Sequence, residues 1–550
     1  MIIATVVFIV ILTVFAYFFG KFIAFIYENN GIFGSYLSYF WGVFDKQTYI
    51  LYFNSLVIFN TICLVFTFLI IFFQEYLPLK EGLKSGLNFA ASLNAAVSFA
   101  TGTFWQSHNP EIELSLLSKI FALTMQNFIS GGTGIAVFAA FTRGIINNKN
   151  PYIGNFYEDF IRSILFILLP IALILALLLI SQSVPHDFVE KLPYTDLLGH
   201  KQTLSIGPIA GQVAIKNLVA NGGSFFASAS AHPFEAPSRA AVIISLFLTL
   251  LLPTALIFTY GFLTKIPYVS WSLYFVVLFI ILISLALIYL GETSYSLSPL
   301  VQDLVADNFN YSGKDLIYDK FPSLMWILSI TMGSSGSTNA CIENYSPLST
   351  VVIFGNLVIS KFVLEGVSSG FFAMVAYLVI AVFLRGLITG KTANFFGKKI
   401  TINEINYVMI VFLLMPVGVL IFTGITFLLP VGRAIITHHG SQAITDITYN
   451  FASAFTNNGS TMTGISLSND YMNYMTALAM FLGRYPIIYF SLALSGSFAN
   501  KQTIVTDFNQ KSSLNIELSI FLVIIVLLVG VIAFLPLMIL GPILEFIKMF

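Results

Sequence analysis

The sequence predicts an all-α polytopic membrane protein with about ten transmembrane helices. The first observation is compositional: 57% of the 550 residues are hydrophobic and only 9% are charged, whereas a soluble domain carries roughly 25% charged residues. The second is a series of apolar runs long enough to cross a bilayer, about 20 residues each. The third is a set of four short polar stretches at nearly equal intervals. Together they predict four pseudo-symmetric helix–pore loop–helix repeats around one pore, with one extra span at each end.

The apolar runs place ten spans along the chain. In order, they cover residues 2–26, 51–74, 117–140, 161–182, 240–263, 270–290, 350–384, 405–429, 473–498 and 516–540. The first run follows Met1 without a basic segment or a small-residue cleavage site, so we expect a retained span and not a signal peptide. The first and last spans lie outside the repeats.

Four polar loops interrupt this pattern. They are Thr101–Phe104 (TGTF), Asn221–Ser224 (NGGS), Ser335–Thr338 (SGST) and Asn458–Thr461 (NGST), called the first to fourth loops. Their glycines Gly102, Gly222, Gly336 and Gly459 are separated by 120, 114 and 123 residues. Non-helical backbone at membrane depth is tolerated only where protein buries it or where it lines a water-filled path. Four such loops at one period therefore indicate one pore ringed by equivalent loops.

A helix too short to span the membrane is predicted before each loop. These helices cover Leu87–Phe99, Gln212–Val219, Pro322–Thr331 and Ala443–Phe455. If each runs toward the pore axis, it directs the negative end of its dipole at the centre, which favours a cation there. The predicted units are a first span and connecting loop (1–50), four pore repeats (51–150, 151–264, 265–395 and 396–505) and a last span (506–550).

The basic residues of the short connections predict the orientation in the membrane. The connections 141–160, 385–404 and 499–515 are rich in lysine and arginine, whereas the segments around 183–239 and 291–321 are long and carry acids. Because basic connections are retained in the cytoplasm, both termini are predicted outside. All four loops then enter from the outside face, as a filter for external ions requires.

The loop residues indicate which ion such a pore would accept. A dehydrated K+ needs oxygen ligands, and a ring of backbone carbonyls supplies them without a full charge. Serine, threonine and asparagine add neutral oxygens, and the four loops contain no Asp or Glu, whereas a Ca2+ or Mg2+ site favours carboxylates. A large monovalent cation is the better interpretation. The alternative is that such loops are ordinary connectors or small-residue packing contacts.

Several longer segments resemble the potassium-binding A subunit of the Kdp potassium-transporting ATPase. They are Asn94–Gln106, Leu123–Ala136, Gly207–Pro237, Gly397–Ile400, Asn457–Gly464 and Phe481–Arg484. The resemblance runs essentially end to end and implies a channel-like subunit of the K+ transporter superfamily, related to Trk, Ktr and HKT proteins. It further implies a complex with a P-type ATPase (the B subunit), the C subunit and the small F subunit in a prokaryotic plasma membrane. K+ would be the transported ion.

The resemblance also implies which residues line the filter. They are Thr101, Gly102, Thr103, Asn221, Gly222, Gly223, Ser335, Gly336, Ser337, Asn458, Gly459 and Ser460. Gln106 matches a glutamine that affects K+ affinity, or it is a solvated amide at a loop end. Arg484, whose guanidinium is costly at bilayer depth, matches an arginine whose charge would stop ions from passing straight through. Alternatively, Arg484 caps backbone carbonyls.

The chain departs from the family pattern at a few positions. The family glycine of the third loop aligns with Ser337, one position after Gly336, which leaves the register of this loop open. In the seventh span, Lys361 and Glu365 have the spacing of an ion pair on one helix face. The alternative for them is regulation of a gate beside Gly366 and Gly370.

Other signals narrow the function. Zero formal net charge and the lack of a basic block argue against nucleic acid as a partner. The sequence contains no phosphorylated-aspartate motif and leaves no room for a nucleotide fold, so ATP hydrolysis is expected in another chain and the chain is not expected to be an enzyme by itself. A free-standing K+ channel or an ion-coupled K+ symporter of the same superfamily remains as the alternative function.

Overall fold

Helices account for most of the regular structure in the computed structural model, which describes residues 2–28, 44–80, 83, 85–189, 191–195, 199, 201–294, 309–311, 314, 320–364, 366, 370–390, 392–503 and 514–547. The α-helices are α1 (Ile2–Glu28), α2 (Tyr49–Phe72), α3 (Phe89–Ala100), α4 (Pro110–Glu113), α5 (Leu116–Ser118), α6 (Met125–Ile146), α7 (Phe156–Arg162), α8 (Leu169–Ser181), α9 (Ile209–Leu218), α10 (Arg239–Leu263), α11 (Pro267–Ser294), α12 (Lys320–Met332), α13 (Pro347–Val363), α14 (Gly370–Thr389), α15 (Ile402–Leu428), α16 (Pro430–Ala434), α17 (Ser441–Phe455), α18 (Asp470–Asn500), α19 (Leu514–Met538) and α20 (Leu544–Ile547).

Shorter elements connect or decorate these helices. Three π-helical segments, Lys119–Thr124, Ser163–Leu168 and Ile539–Ile543, join α5 to α6, α7 to α8 and α19 to α20. The strands are β1 (Gln47–Thr48), β2 (Tyr152–Gly154), β3 (Lys191–Thr195), β4 (Lys201–Ser205), β5 (Asn394–Phe395) and β6 (Lys398–Lys399). They pair antiparallel as β1–β2, β3–β4 and β5–β6. These small sheets lie in connections between helices and leave the helical class unchanged.

The prediction of about ten spans is confirmed. Within the described ranges, nine helices are long and apolar enough to cross a membrane, and the number is ten if the helix pair Ser519–Gly530 and Phe534–Ile547, bent by 55°, counts as one span. The first span, α1, packs against α10, where Thr259 Oγ1 donates a hydrogen bond to the Gly20 carbonyl at 3.1 Å. A Cβ at Gly20 would lie 2.6 Å from the Ala255 carbonyl oxygen, so a small residue allows these two helices to approach closely.

The seventh predicted span, 350–384, is wrong as a single helix. The first half, α13, ends at Val363, and the second half, α14, begins at Gly370. Between them, the Gly366 N–H donates to the Gly333 carbonyl at 2.9 Å, just beyond the end of α12. Hydropathy does not reveal this break, because an average over a full span length includes the apolar residues on both sides of the short polar stretch that contains Glu365, Ser368 and Ser369. Non-helical backbone at this depth requires hydrogen-bond partners within the protein, and the Gly366 N–H has such a partner in the Gly333 carbonyl.

The four short helices that precede the loops are α3, α9, α12 and α17. Each begins and ends within three residues of its predicted bounds. The side chain of Asn88 caps the start of α3 by accepting a hydrogen bond from the Ala91 N–H at 2.8 Å. Most of the residues in these helices are buried, although each is too short to cross a bilayer. They are buried inside the protein, surrounded by the spanning helices.

Candidate functional site

The four short helices end in the same way. The second residue beyond each helix has a positive φ: Gly102 (+71°), Ala220 (+51°), Ser334 (+54°) and Asn457 (+54°). In α3, α9 and α17 the amide of the following residue returns to a carbonyl of the last helical turn, as in the hydrogen bond from Thr103 N–H to Ser98 O at 3.0 Å. This pattern terminates a helix and turns the chain sharply. The four loops therefore start with equivalent backbone geometry.

Three loops contact a neighbouring loop through a glycine. A Cβ added at Gly222 would lie 2.4 Å from Ser335 O, one at Gly336 would lie 2.0 Å from Asn458 O, and one at Gly459 would lie 2.3 Å from Thr103 O. These contacts join the second loop to the third, the third to the fourth and the fourth to the first. A side chain would occupy the position of each carbonyl, so only glycine fits. The loops thus form a ring with backbone carbonyls at its joints.

The first loop has Phe104 where the other loops have these glycines. Counted from the helix ends, Phe104 is equivalent to Gly222, Gly336 and Gly459, and its φ is +54°. Its ring stacks on Phe99, with centroids 5.3 Å apart. A Cβ at Gly223 would lie 3.1 Å from the Phe104 Cβ, so the first loop also contacts the second.

This geometry corrects the register of the loops. The sequence aligns Gly102 with the glycines of the other loops, whereas the backbone places it two residues earlier, in line with Ala220, Ser334 and Asn457. In the third loop Gly336, not Ser337, corresponds to Gly459. Sequence spacing alone does not reveal this shift, because a phenylalanine at positive φ is rare and gives no turn signal.

The polar side chains of the loops are buried and bonded to one another. Asn457, just before the fourth loop, donates from Nδ2 to Thr103 Oγ1 at 3.0 Å. Ser335 Oγ donates to the Asn221 carbonyl at 3.0 Å, and Asn221 Nδ2 donates to Ser130 Oγ on α6 at 2.8 Å. These bonds fix the loops in place. The groups that take part in these bonds are neutral amides, carbonyls and hydroxyls.

All twelve predicted filter residues lie in this ring. Ten of them are buried, and Gly336 and Gly459 are partly exposed. The structure therefore brings the predicted residues of four distant segments together.

Gln106 joins the first loop to the second. Its Nε2 donates to the Ser224 carbonyl at 3.0 Å, and its Oε1 accepts from the Ser224 N–H at 3.0 Å. Both functional groups of the amide are thus bonded to protein backbone. The interpretation of Gln106 as a solvated amide is wrong, because the side chain bridges two loops.

Arg484 lies on α18 with its side chain fully buried. Its Nη1 donates to the Thr101 carbonyl at 2.7 Å and its Nη2 to the Ser130 carbonyl at 3.2 Å. A Cβ at Gly102 would lie 2.7 Å from Nη1, so this glycine makes room for the guanidinium. The contacts match the carbonyl-capping interpretation, and they also place a positive charge directly against the first loop.

The break between α13 and α14 lies against the second and third loops. A Cβ at Gly366 would lie 2.9 Å from the Ala220 carbonyl oxygen and 3.0 Å from that of Gly333. Gly370 is the first residue of α14, and Lys361 lies in the last turn of α13. Glu365 is outside the described residues, so the predicted Lys361–Glu365 pair remains a prediction.

A cavity of about 400 Å3 lies beside the start of α17 and is lined by the carboxylates of Glu343, Asp446 and Glu545. Burial raises the pKa of Asp446 to about 6, although His438 Nδ1, 2.7 Å from its carboxylate, acts in the opposite direction. Glu343 accepts a hydrogen bond from Thr463 Oγ1 at 2.8 Å, two residues beyond the fourth loop. The cavity therefore offers oxygen-rich, acidic surroundings close to the ring.

The fold is similar to that of a solved membrane protein. The potassium transporter TrkH from Vibrio parahaemolyticus matches with a TM-score of 0.51 and 14% identity, over 80% of this chain and 85% of that chain. This likeness supports the polytopic helical fold.

Comparison with known sequences agrees with the resemblance found in the loops. The chain is 35% identical over 500 residues to the potassium-transporting ATPase potassium-binding subunit of Leptospira interrogans serovar Lai, covering 90% of this chain and 88% of the relative. It is 36% identical over 506 residues to the protein of the same description from Pseudomonas fluorescens SBW25, covering 92% and 89%. Residues 6–547 match the family described as potassium-transporting ATPase A subunit. Because this match covers nearly the whole length, the chain belongs to the potassium-transporting ATPase A subunit family.

Proposed function

We propose that the chain is the K+-binding, channel-like subunit of an ATP-driven potassium uptake complex in a prokaryotic plasma membrane. It selects external K+ among the four loops and passes the ion to a P-type ATPase, the B subunit, in a complex that also contains the C subunit and the small F subunit. Both termini then lie outside the cell. The observation that carries this proposal is the ring in which three glycines press against carbonyls of neighbouring loops.

The ring has the chemistry that a dehydrated monovalent cation requires. Carbonyl and hydroxyl oxygens replace the hydration shell of K+ without introducing a full negative charge. The carbonyl ends of α3, α9, α12 and α17 face the loops, and the negative end of each helix dipole adds to the attraction. The acidic cavity beside α17 would raise the local concentration of cations near the ring.

Arg484 and the break near Gly366 lie at the edges of the ring and are suited to control the next step. A buried guanidinium against the first loop would repel a cation that moved past Thr101. Gly366, between α13 and α14, lies against the carbonyls of Ala220 and Gly333, just before the second and third loops. We therefore propose that K+ is held above Arg484 and then moves sideways toward the P-type ATPase.

The central test adds one charge to the ring. Gly222→Asp is expected to loosen K+/Na+ discrimination, because a carboxylate favours the smaller ion with the higher charge density and a side chain displaces the Ser335 carbonyl. The measurement is the K+ and Na+ dependence of ATP hydrolysis by the assembled complex. Gln502→Glu is the control: it adds the same charge at an exposed residue in the connection after α18. Unchanged selectivity in Gly222→Asp would remove the second loop from the proposed filter.

The alternative, a free-standing K+ channel or an ion-coupled K+ symporter, makes a different prediction. K+ flux through the chain alone would then proceed without ATP, and no P-type ATPase would copurify with it. We expect copurification and ATP-dependent uptake, because the family match covers both end spans outside the four repeats.

A further inference from the structure

Two charged side chains are buried together beside the second and third loops. Lys216 lies in the last turn of the short helix α9, and Glu235 lies in the segment that follows the second loop. Their side chains are 0% and 2% exposed, and Lys216 Nζ forms an ion pair with Glu235 Oε2. Removing two charged groups from water costs free energy, unless the geometry of the ion pair and its hydrogen bonds compensate. A buried ion pair therefore indicates a specific role.

The pair contacts both neighbouring loops directly. Lys216 Nζ donates to Ser337 Oγ in the third loop at 3.1 Å. Glu235 Oε1 accepts a hydrogen bond from Ser224 Oγ in the second loop at 2.5 Å. Ser230 completes the cluster: its hydroxyl lies 3.2 Å from Lys216 Nζ and 2.7 Å from Ser337 Oγ. One ion pair thus holds a side chain from each of two loops.

The loop residues that the pair holds are themselves fixed through their backbone. Ser224 is the residue whose N–H and carbonyl are bonded to Gln106, so the second loop is tied to the first loop and to the ion pair at the same residue. The Ser337 carbonyl accepts a hydrogen bond from Trp326 Nε1 on α12 at 3.0 Å. A change at the ion pair would therefore reach three of the four loops.

The charges also have an electrostatic consequence for a nearby cation. Lys216 alone would place an uncompensated positive charge within hydrogen-bonding distance of the third loop and would oppose cation binding in the ring. Glu235 cancels that charge at close range. Because buried charges are weakly screened, the sum of the two charges matters for an ion bound among the loops.

We infer that Lys216 and Glu235 are positioning residues for the ion site: the pair sets the register of the second and third loops and keeps the net charge beside them at zero. This inference rests on the proposed function, since it assumes that a cation binds among the loops. It makes a claim that a purely structural role would not make. Removing one partner should change K+ affinity in one direction, and removing the other should change it in the opposite direction.

The test is a charge-removal cycle in the assembled ATPase complex, with ATP hydrolysis measured against K+ concentration. Glu235→Gln leaves the lysine charge and is expected to raise the half-maximal K+ concentration by about tenfold or more. Lys216→Met leaves the carboxylate and is expected to lower that concentration or to admit other cations such as NH4+. The double variant removes both charges and is expected to return to within about threefold of the wild type.

A second buried pair supplies the control. Lys314 and Glu292 are 1% and 0% exposed, with Nζ and Oε2 2.8 Å apart, but Glu292 accepts its other bonds from Ser346 and Asn310, outside the four loops. Glu292→Gln removes a buried charge of the same kind and is expected to lower thermal stability with less than a twofold change in half-maximal K+ concentration.

The outcomes distinguish failure of the inference about Lys216 and Glu235 from failure of the proposed function. If Glu235→Gln and Lys216→Met shift K+ affinity in the same direction, or if Glu292→Gln shifts it equally, the inference is overturned. If Glu235→Gln does not assemble, the sign of the Lys216→Met shift decides, and a raised K+ requirement overturns the inference. If the wild-type complex itself shows no dependence on K+, the proposed function fails instead.

Discussion

The first loop differs from the other three at the position where each loop meets its neighbour. In the second, third and fourth loops this position is a glycine, and the carbonyl of the next loop occupies the space of the missing side chain. In the first loop the position is Phe104, whose ring packs on Phe99 of its own short helix. The comparison shows that a backbone carbonyl fills the space beside the glycine in three loops, whereas in the first loop the Phe104 side chain fills this position and packs on Phe99 and against Gly223 of the second loop.

The two kinds of joint should respond differently to substitution. A glycine pressed against a carbonyl tolerates no side chain, because the opposing atom is backbone and cannot rotate away. Phe104 has a side chain that fits, but its positive φ costs roughly 1–2 kcal/mol relative to a glycine at the same position. The burial of its ring offsets this cost. Adding a side chain at a loop glycine and removing the side chain of Phe104 therefore test the two kinds of contact separately.

The largest effect is expected for Gly336→Ala. The new Cβ would lie 2.0 Å from Asn458 O at a residue with a φ of +64°, so the third and fourth loops must move apart. We expect loss of K+-stimulated ATP hydrolysis at every K+ concentration. Gly424→Ala, in α15 with nothing within 4 Å of its Cβ, is the control and should behave as the wild type. Full activity of Gly336→Ala would mean that the ring does not bind the ion.

Arg484→Gln tests the positive charge at the first loop and should have the next largest effect. Glutamine keeps a polar amide but ends two bonds short of the Arg484 Nη1 atom, so the variant removes the charge and weakens the capping contact to the Thr101 carbonyl. We expect a passive Rb+ leak through the complex without ATP, measured in proteoliposomes. Arg433→Gln, at an exposed arginine, controls for the change of charge. An intact barrier in Arg484→Gln would leave carbonyl capping as the role of this residue.

Much of this arrangement is predictable from the sequence. Hydropathy locates the spans because bilayer thickness fixes their length, and clusters of glycine, serine and asparagine locate the loops. The short helices follow from the lengths of the segments between spans and loops. These features are local in sequence, so a single chain without relatives already contains them.

The features that the sequence does not reveal depend on contacts between distant segments. The break at Gly366 depends on a hydrogen bond to Gly333. The two-residue shift of the first loop depends on the packing of Phe104, and no turn signal marks a phenylalanine at positive φ. Lys216 reads as an ordinary basic residue at a helix end until the fold brings Glu235 to it.

Two substitutions of Phe104 sharpen the comparison between the joints. Both remove a side chain that is 2% exposed, and a large-to-small change in a core costs about 3–5 kcal/mol. Phe104→Gly also relieves the positive φ, so it should be more stable than Phe104→Ala by roughly 1 kcal/mol. At most positions an alanine variant is more stable than a glycine variant, so the order expected here is reversed. Thermal unfolding of the two purified variants measures it, and a more stable alanine variant would contradict the assigned backbone conformation.

The smallest effect is expected at Gln106, which joins the first loop to the second without filling space in the ring. Gln106→Ala removes two neutral hydrogen bonds to Ser224, each worth about 1 kcal/mol, and leaves the glycine contacts in place. We expect a several-fold rise in half-maximal K+ concentration at an unchanged maximal rate, and a larger rise for Gln106→Arg, which adds a positive charge. Gln502→Ala, at an exposed glutamine in the connection after α18, should leave both parameters unchanged. A fall in maximal rate without a change in K+ dependence would indicate that Gln106 acts after the ion has bound. The contact between the first and second loops would then affect a later step of transport than the glycine contacts of the other loops.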